Sequence, residues 1–359
     1  MRLIKVEELE GGEILAKSII SDDYKILISE GTMLKEDSKN RLLGMGIDEI
    51  YIIDKSQAKY QEIVLLKSEV EETFKEKIKD VLENHSFTSD EEFSNISNTA
   101  DAIIQNILDE DEVVDKVFDI KERSADIYEH SINLCSLATL TALKLNLSES
   151  QVHDIGVGSL LHDMGLKYLN IEYEDQDIEE LTKIQLNEYM KHPVYGYSVL
   201  RDENWLSNSA KNIVLYHHER LDGSGYPLHA KEIAYEIGVV SVCDVFDEMI
   251  CGIGCKKVKV HEAVEYLKTL KNIKFYPKIV DALLEFTAVY PVGRQVLLSD
   301  GTEGMVVRQN KEFPDRPVIQ LAKDKNGNII PRGKEIDLIK VNNLFIEKEI
   351  NKKWSILSS

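Results

Sequence analysis

The amino-acid sequence predicts a mainly helical protein: a helical bundle flanked by a small N-terminal α+β module and a small C-terminal β module. Three observations carry this reading. Residues 119 to about 290 show amphipathic periodicity behind two capping-box signatures, Ser148-x-x-Gln151 and Thr182-x-x-Gln185. Residues 1 to about 60 mix short strand-like apolar runs with one helical run. Residues 291–359 hold apolar runs paired around turn signals.

Taken in order, Ile14 to Ile20 and Tyr24 to Ile28 have strand character, with Gly31 before the next element. Lys35 to Leu43 predicts a helix and Ile47 to Ile53 a closing strand. Residues 61–118 form a helical connector, a candidate dimerisation surface. Val70, Phe74, Ile78 and Leu82 recur four apart, an apolar stripe on a charged helix. The polar stretch SFTSDEEFSNISNT predicts a loop, and a second helix runs through Ile103, Ile104 and Ile107. The helical bundle spans 119–290. Beyond it, Gln295–Leu298 and Met305–Val307 flank Ser299-Asp300-Gly301, and Val318–Leu321 and Ile329–Ile330 flank Asn326-Gly327, both hairpin signals.

With 359 residues, 43% of them hydrophobic, the chain has room for two or three domains and a sizeable core. Its formal charge of -21 opposes DNA, RNA and anionic membranes, which bind proteins by charge neutralisation. An anionic substrate therefore needs a local source of positive charge, and bound metal ions are one. Cys135, Cys243, Cys251 and Cys255 include no CxxC pair and are expected as reduced thiols packed in helices. Cys251 and Cys255, four apart, have the spacing to share a helix face. MRLIKVEELEGG places acids where a signal peptide has its apolar core, and no uncharged apolar run reaches membrane-spanning length, so a cytoplasmic location is expected.

Of nine histidines, five are unusually placed. His162-Asp163 are adjacent, His217-His218-Glu219 form a triple, and His130, His192 and Asp244 fall on separate predicted helices or helix ends. Imidazoles and carboxylates ligate divalent transition metals. A carboxylate can join two metals where an imidazole ordinarily binds one, so Asp163 is the natural bridging ligand. Five histidines and two aspartates suffice for two ions with positions left for water and substrate. Such a centre generates hydroxide near neutral pH and clamps a phosphate, as phosphodiester hydrolysis requires. Asp126, four residues before His130, is either a further ligand or a solvated acid at a helix start. His85, His153, His229 and His261 lie outside the pattern.

The strings YEHSINL (128–134), LLHDMG (160–165), KHPVYGYSVL (191–200), HHERLDGSGYP (217–227) and VCDVFDEM (242–249) resemble, in order and spacing, the HD-GYP family, a branch of the HD phosphohydrolase superfamily. The resemblance covers residues 120–290. It implies an HD-type helical bundle around two or three divalent ions, iron first and manganese as the alternative. It also implies hydrolysis of cyclic di-GMP to pGpG or GMP by a metal-bridging hydroxide attacking in line with the leaving 3′ oxygen. The ligand roles fall on His130, His162, Asp163, His192, His217, His218 and Asp244. Asp126 stands where some members hold a third metal. Gly223, Gly225, Tyr226 and Pro227 form the GYP loop at the pocket or a partner contact, Arg220 joins them as a substrate-side candidate, and Asp222 is a candidate proton shuttle or a turn-forming residue.

Two departures concern substrate grip. Leu166 stands where the family has the lysine of HDxGK, with Lys167 next. Ile253-Gly254-Cys255-Lys256 replaces the stretch that carries an arginine, leaving Lys256. A helix turns about 100° per residue, so Lys167 reaches the lysine's position only if the chain has left the helix after Gly165. Arginine grips phosphate and guanine bidentately and isoleucine cannot. Three readings follow: a cyclic di-GMP phosphodiesterase, or one for another cyclic dinucleotide such as cyclic GMP-AMP; a metal-loaded dinucleotide receptor; and an HD hydrolase of ordinary nucleotides, against which the GYP string weighs. The flanking modules suit regulation, oligomer contacts or signalling-partner docking.

Overall fold

The protein is described by a computed structural model covering residues 2–9, 14–15, 19–20, 26–28, 32, 34, 38–45, 47, 49–53, 64–66, 68–84, 90–109, 113, 116–120, 126–171, 177–311, 313–330 and 334–350. Of the features expected above, residues 16–18, Tyr24, Lys25, Gly31, Lys35–Asp37, Asp48, His85 and Ser86–Ser89 lie outside the described residues. The chain forms two compact units, Met1–Gln61 and Glu62–Ser359.

In the first unit, β1 (Arg2–Lys5), β2 (Ile14–Leu15) and β5 (Glu49–Ile53) make an antiparallel sheet of order β1-β5-β2. β3 (Ile19–Ile20) pairs with β4 (Ile26–Ile28), and α1 spans Ser38–Gly44. Ile50 and Ile52 alternate inward along β5 and, with Leu15, Leu42, Val6, Leu9 and Leu34, form a small core. β1 was not anticipated: RLIK is only four residues long, and its strand character comes from pairing with β5, Ile4 opposite Ile50.

The second unit is helical up to Phe286. In α2 (Ser68–Asn84), Phe74 and Ile78 are buried and Val70 and Leu82 half-buried, as the stripe predicts. α3 spans Asp90–Leu108, so most of the polar stretch expected as a loop is helix. Its Ile96, Ala100, Ile103 and Ile107 are buried at spacings of three and four, and this apolar face outweighs the polar composition around it. Both helices pack on α4 (Ile127–Lys144), which is buried along most of its length. The remaining helices are α5 (Glu149–Leu161), α6 (Lys183–Tyr189), α7 (His192–Leu200), α8 (Asn208–Tyr216), α9 (Tyr235–Cys251), α10 (Val260–Leu270) and α11 (Pro277–Phe286). Both capping boxes form: Ser148 caps α5 with Gln151 reaching back, and Thr182 caps α6 with Gln185. All four cysteines are free thiols. Cys255, however, lies beyond α9, which ends at Cys251 with Gly252 in the left-handed conformation, so the two do not share a helix face.

The C-terminal sheet is antiparallel with order β10-β6-β7-β8-β9, formed by β6 (Gln295–Leu298), β7 (Glu303–Arg308), β8 (Val318–Lys323), β9 (Glu335–Asp337) and β10 (Ile346–Glu349). The first hairpin forms as predicted. The turn at Asn326-Gly327 also forms, but Ile329 makes a single bridge to Lys323, and the partner of β8 is β9. Buried Asp119 joins this sheet to the helices, accepting from Val292 N at 2.8 Å and Gln309 Nε2 at 3.0 Å. Replacing Asp119 by Ala strands these donors, and urea unfolding is expected to read a loss of about 1–3 kcal/mol.

Candidate metal centre

Helix ends position most of the site. The last-turn carbonyls of a helix lack intrahelical partners, and here imidazoles take them. His162 Nδ1 lies 2.8 Å from Ser159 O in the last turn of α5. His192 Nδ1 lies 2.8 Å from Tyr189 O at the end of α6, and His217 Nδ1 lies 3.0 Å from Val214 O in the last turn of α8. A carbonyl only accepts, so each of these rings carries its proton on Nδ1 and turns the Nε2 lone pair inward. His130, inside α4, achieves the same with a carboxylate: its Nδ1 sits 2.8 Å from Asp247 Oδ2. Asp247 was missed in the sequence because the VCDVFDEM string was read for Asp244 alone. Its signal is the spacing of three, which sets both acids on one face of α9.

The inward atoms fall into groups whose ligand atoms lie within 4.8 Å of one another. One is Asp163, His192, His217 and His218; another is His130, His162 and Asp244. His130 Nε2 is 3.2 Å from both His162 Nε2 and Asp244 Oδ1. Asp163 straddles the groups: Oδ1 is 3.2 Å from His192 Nε2 and 3.8 Å from His217 Nε2, while Oδ2 is 3.2 Å from His162 Nε2. Asp244 also faces two ways, with Oδ2 3.9 Å from His218 Nδ1. Among the described residues, the seven side chains expected as ligands thus converge.

Burial and neighbours set the charges. Burial alone would raise the Asp163 carboxyl, but His162 and His192 hold it well below the usual carboxylate range. Asp244 is likewise lowered, against its burial, by His130 and His162. Burial and then His162 push His217 down to about 3, and burial with His217 and His192 holds His218 well below the usual imidazole range. His130 is lowered by burial but raised, on balance well above the usual range, by Asp244 and Asp247. Ionised carboxylates beside imidazoles that can release their inward protons are the donor set a divalent cation requires. The fully buried Asp244 Oδ2 and His218 Nε2 have no hydrogen-bond partner, as expected of atoms shaped for an ion.

Two glycines let the backbone close around these ligands. Gly165 lies in the 3-10 turn Met164–Tyr168, where a Cβ would stand 1.9 Å from His192 O. At Gly225 a Cβ would stand 2.3 Å from His218 O. Next to it, Tyr226 N donates to His218 O (3.2 Å) and the Tyr226 ring stacks on His218 at 4.6 Å. The Glu219 carboxylate, buried and unassigned from sequence, accepts from Leu228 N and Ala230 N and fixes the far side of the loop, which contains Pro227.

Other expected site residues lie elsewhere. Asp126 is the N-cap of α4, outside the helix proper; it accepts from Tyr128 N and Glu129 N and pairs with Lys75 at 2.6 Å, and it joins neither ligand group. Asp222 is exposed and accepts from Ser224 N at 2.9 Å, an Asx turn. Arg220 donates to His217 O, Glu219 O and Ser241 Oγ, holding the loop together from behind. Lys167 is exposed on the 3-10 turn and donates to Leu82 O at 3.0 Å, and Lys256 is exposed after α9. Leu166 and Ile253, which replace the family's cationic residues, line a cavity of about 550 Å³ with Tyr189, Tyr128 and the α2 residues Lys75 and Lys79.

Asp247→Asn is expected to weaken Mn(II) uptake roughly 10–100-fold in equilibrium dialysis, because the His130 ring loses its orienting carboxylate. Gly165→Ala must displace α7 and with it His192; we expect a loss of about 1–3 kcal/mol in chemical denaturation together with weaker metal uptake.

A family model described as an HD domain matches residues 108–279, and one described as a KOW domain associated with HD domain matches residues 295–356. The chain is 29% identical over 221 residues to "Cyclic di-GMP phosphodiesterase PA4108" of Pseudomonas aeruginosa, a match covering 60% of this chain and 52% of that protein. It is 37% identical over 155 residues to "Cyclic di-GMP phosphodiesterase response regulator RpfG" of Xanthomonas campestris pv. campestris, covering 41% and 40%. The chain thus spans about half the length of the curated relatives it matches. Among solved structures, Bd1817, a HDG"Y"P protein from Bdellovibrio bacteriovorus, shares the fold with a TM-score of 0.52 at 18% identity, over 79% of this chain and 97% of that one. Residues 108–279 are therefore an HD domain, and the Gly225-Tyr226-Pro227 string falls inside it.

Proposed function

We propose that this protein is a metal-dependent cyclic dinucleotide phosphodiesterase, with cyclic di-GMP as its first substrate and iron, or else manganese, at its centre. The observation that carries the proposal is the convergence of two ligand groups on Asp163, beneath a GYP loop that stacks Tyr226 on His218. The names of the relatives in Pseudomonas and Xanthomonas favour cyclic di-GMP.

When bound, the ions supply Lewis acidity, activating water at neutral pH and neutralising charge on the phosphoryl oxygens. The chain's residues do the rest. Asp163, held ionised, offers one oxygen to each group and fixes their separation. His192 and His217 keep Nε2 inward by giving Nδ1–H to helix-end carbonyls. His130 is oriented by Asp247. Tyr226 and the backbone around Gly225 form the rim against which a base can stack.

A second reading rests on one observation: Leu166 and Ile253 present apolar surface where the family carries cations, while Lys167 is engaged with Leu82 O. This favours a different cyclic dinucleotide, such as cyclic GMP-AMP, or a metal-loaded receptor. One assay separates the readings. Protein purified anaerobically, with bound iron and manganese quantified, is incubated with cyclic di-GMP and separately with cyclic GMP-AMP, beside a His162→Ala, Asp163→Ala variant. Linear product from the parent and none from the variant is expected. Full metal loading and tight binding without product would sink the enzyme and leave the receptor.

A further inference from the structure

We propose that Glu248, rather than Asp126, completes a third cation position at this centre, with Asp244 and His218. The proposal rests on the metal-centre reading above and adds to it a ligand that no sequence motif assigned.

Glu248 follows Asp244 by four residues on α9, so the two carboxylates share one face of the helix. Ligand atoms of His218, Asp244 and Glu248 all lie within 4.8 Å of one another. Like charges at this spacing repel, and the repulsion is stronger where water is excluded. A cation between them removes it. The geometry also leaves room for one. Asp244 Oδ1 faces His130 and His162, while Asp244 Oδ2 is buried without a hydrogen-bond partner and lies 3.9 Å from His218 Nδ1. His218, 7% exposed, and Asp244, fully buried, are too enclosed for water to satisfy these atoms cheaply. His218 is common to this group and to that of Asp163, and Asp244 to this group and to that of His130. Asp244 has two oxygens and can serve both groups, while a neutral imidazole has one lone pair, so His218 serves one ion at a time.

The backbone of Glu248 is fixed as well. Its carbonyl accepts from Gly252 N at 2.7 Å and Ile253 N at 3.1 Å, and the Cys255 thiol points at it from 3.7 Å. The segment in which Ile253 stands for the family's arginine is therefore folded back on Glu248. A third ion here would return positive charge to the side of the site from which that side chain is missing. Asp126 is committed elsewhere, to Lys75 and to the α4 N-terminus.

Mn(II) is the probe, being suited to mixed carboxylate and imidazole ligands. Metal-free full-length protein is dialysed anaerobically against graded Mn(II), and bound metal per chain is counted by mass spectrometry. Glu248→Gln, which keeps side-chain size, is expected to hold one ion fewer than the parent and to keep the others, which also reports an intact fold. Asp126→Asn is expected to match the parent. Glu248→Asp, with its carboxylate one methylene short, should bind the same ion at least tenfold more weakly, a graded loss that misfolding does not produce. Equal metal counts and affinities in the parent, Glu248→Gln and Glu248→Asp would overturn the third position while leaving the centre intact. No Mn(II) uptake by the parent would instead remove the centre itself.

Discussion

The constraint on which the rest of this structure depends is the burial of ionisable side chains without water. His130, His162, His192, His217 and Asp244 are fully enclosed, with His218 and Asp163 nearly so. Each polar atom so placed must find a partner or cost the fold several kcal/mol. The chain meets the outward half of this demand itself. Helix-end carbonyls, which need donors anyway, take the Nδ1 protons of three histidines, and Asp247 takes the fourth. Toward the centre the imidazoles and carboxylates meet one another, and Asp244 Oδ2 and His218 Nε2 stay without a partner, an arrangement matched to a cation. Although burial lowers it, Asp244 and Asp247 raise His130 well above the usual imidazole range, and a cation taken up beside it has to displace that proton. Metal uptake and proton release are thereby coupled in this fold.

The same burial resolves an electrostatic conflict. A chain of net charge -21 repels a doubly anionic dinucleotide. The cavity beside the ligands does not reverse this, since Lys75 and Lys79 share its wall with Glu72, Glu76, Glu83 and Asp126. Lys75 is paired with Asp126, and Arg220 is spent on backbone carbonyls. Attraction for phosphate therefore has to come from ions held by the histidine and aspartate groups. Under the proposed function, the charge that attracts the phosphates and the charge that activates water would be the same charge.

How much of this was legible in the sequence follows from what each feature depends on. Local rules gave the capping boxes at Ser148 and Thr182, the stripe on α2 and the first C-terminal hairpin, because hydrogen bonds or faces within a few residues decide them. The convergence of His162 with Asp163 and of His217 with His218 was legible because each pair is adjacent in sequence and in space, while His130, His192 and Asp244 needed the resemblance. What failed depended on direction. Asp126 looked like a residue on the same helix face as His130, but a capping residue has extended backbone and turns its carboxylate onto the helix N-terminus. Lys167 follows the replaced lysine position by one residue, yet in the 3-10 turn it reaches away to Leu82 O. The α3 start was hidden by polar composition, since its apolar face acquires meaning only against α4 and α5. Glu219 acts through the backbone N–H groups of Leu228 and Ala230, partners that no spacing rule reveals.

The loop after α8 shows why ligand and substrate functions are hard to separate in this fold. His217 and His218 end the helix, Glu219 ties the chain ten residues on through Leu228 N and Ala230 N, and Arg220 turns back to the carbonyls of His217 and Glu219. Tyr226 is anchored to His218 twice, by its N–H and by its ring. Gly225 sits so close to His218 O that any side chain there would push the two apart. A change in the rim residues that face a ligand must therefore reach the imidazoles behind them, and a shift of the imidazoles must move the rim. Within the HHERLDGSGYP string, His217, His218, Glu219, Arg220, Gly225 and Tyr226 are tied to one another or to the chain just beyond, so the candidate ligands and the rim are built from one segment.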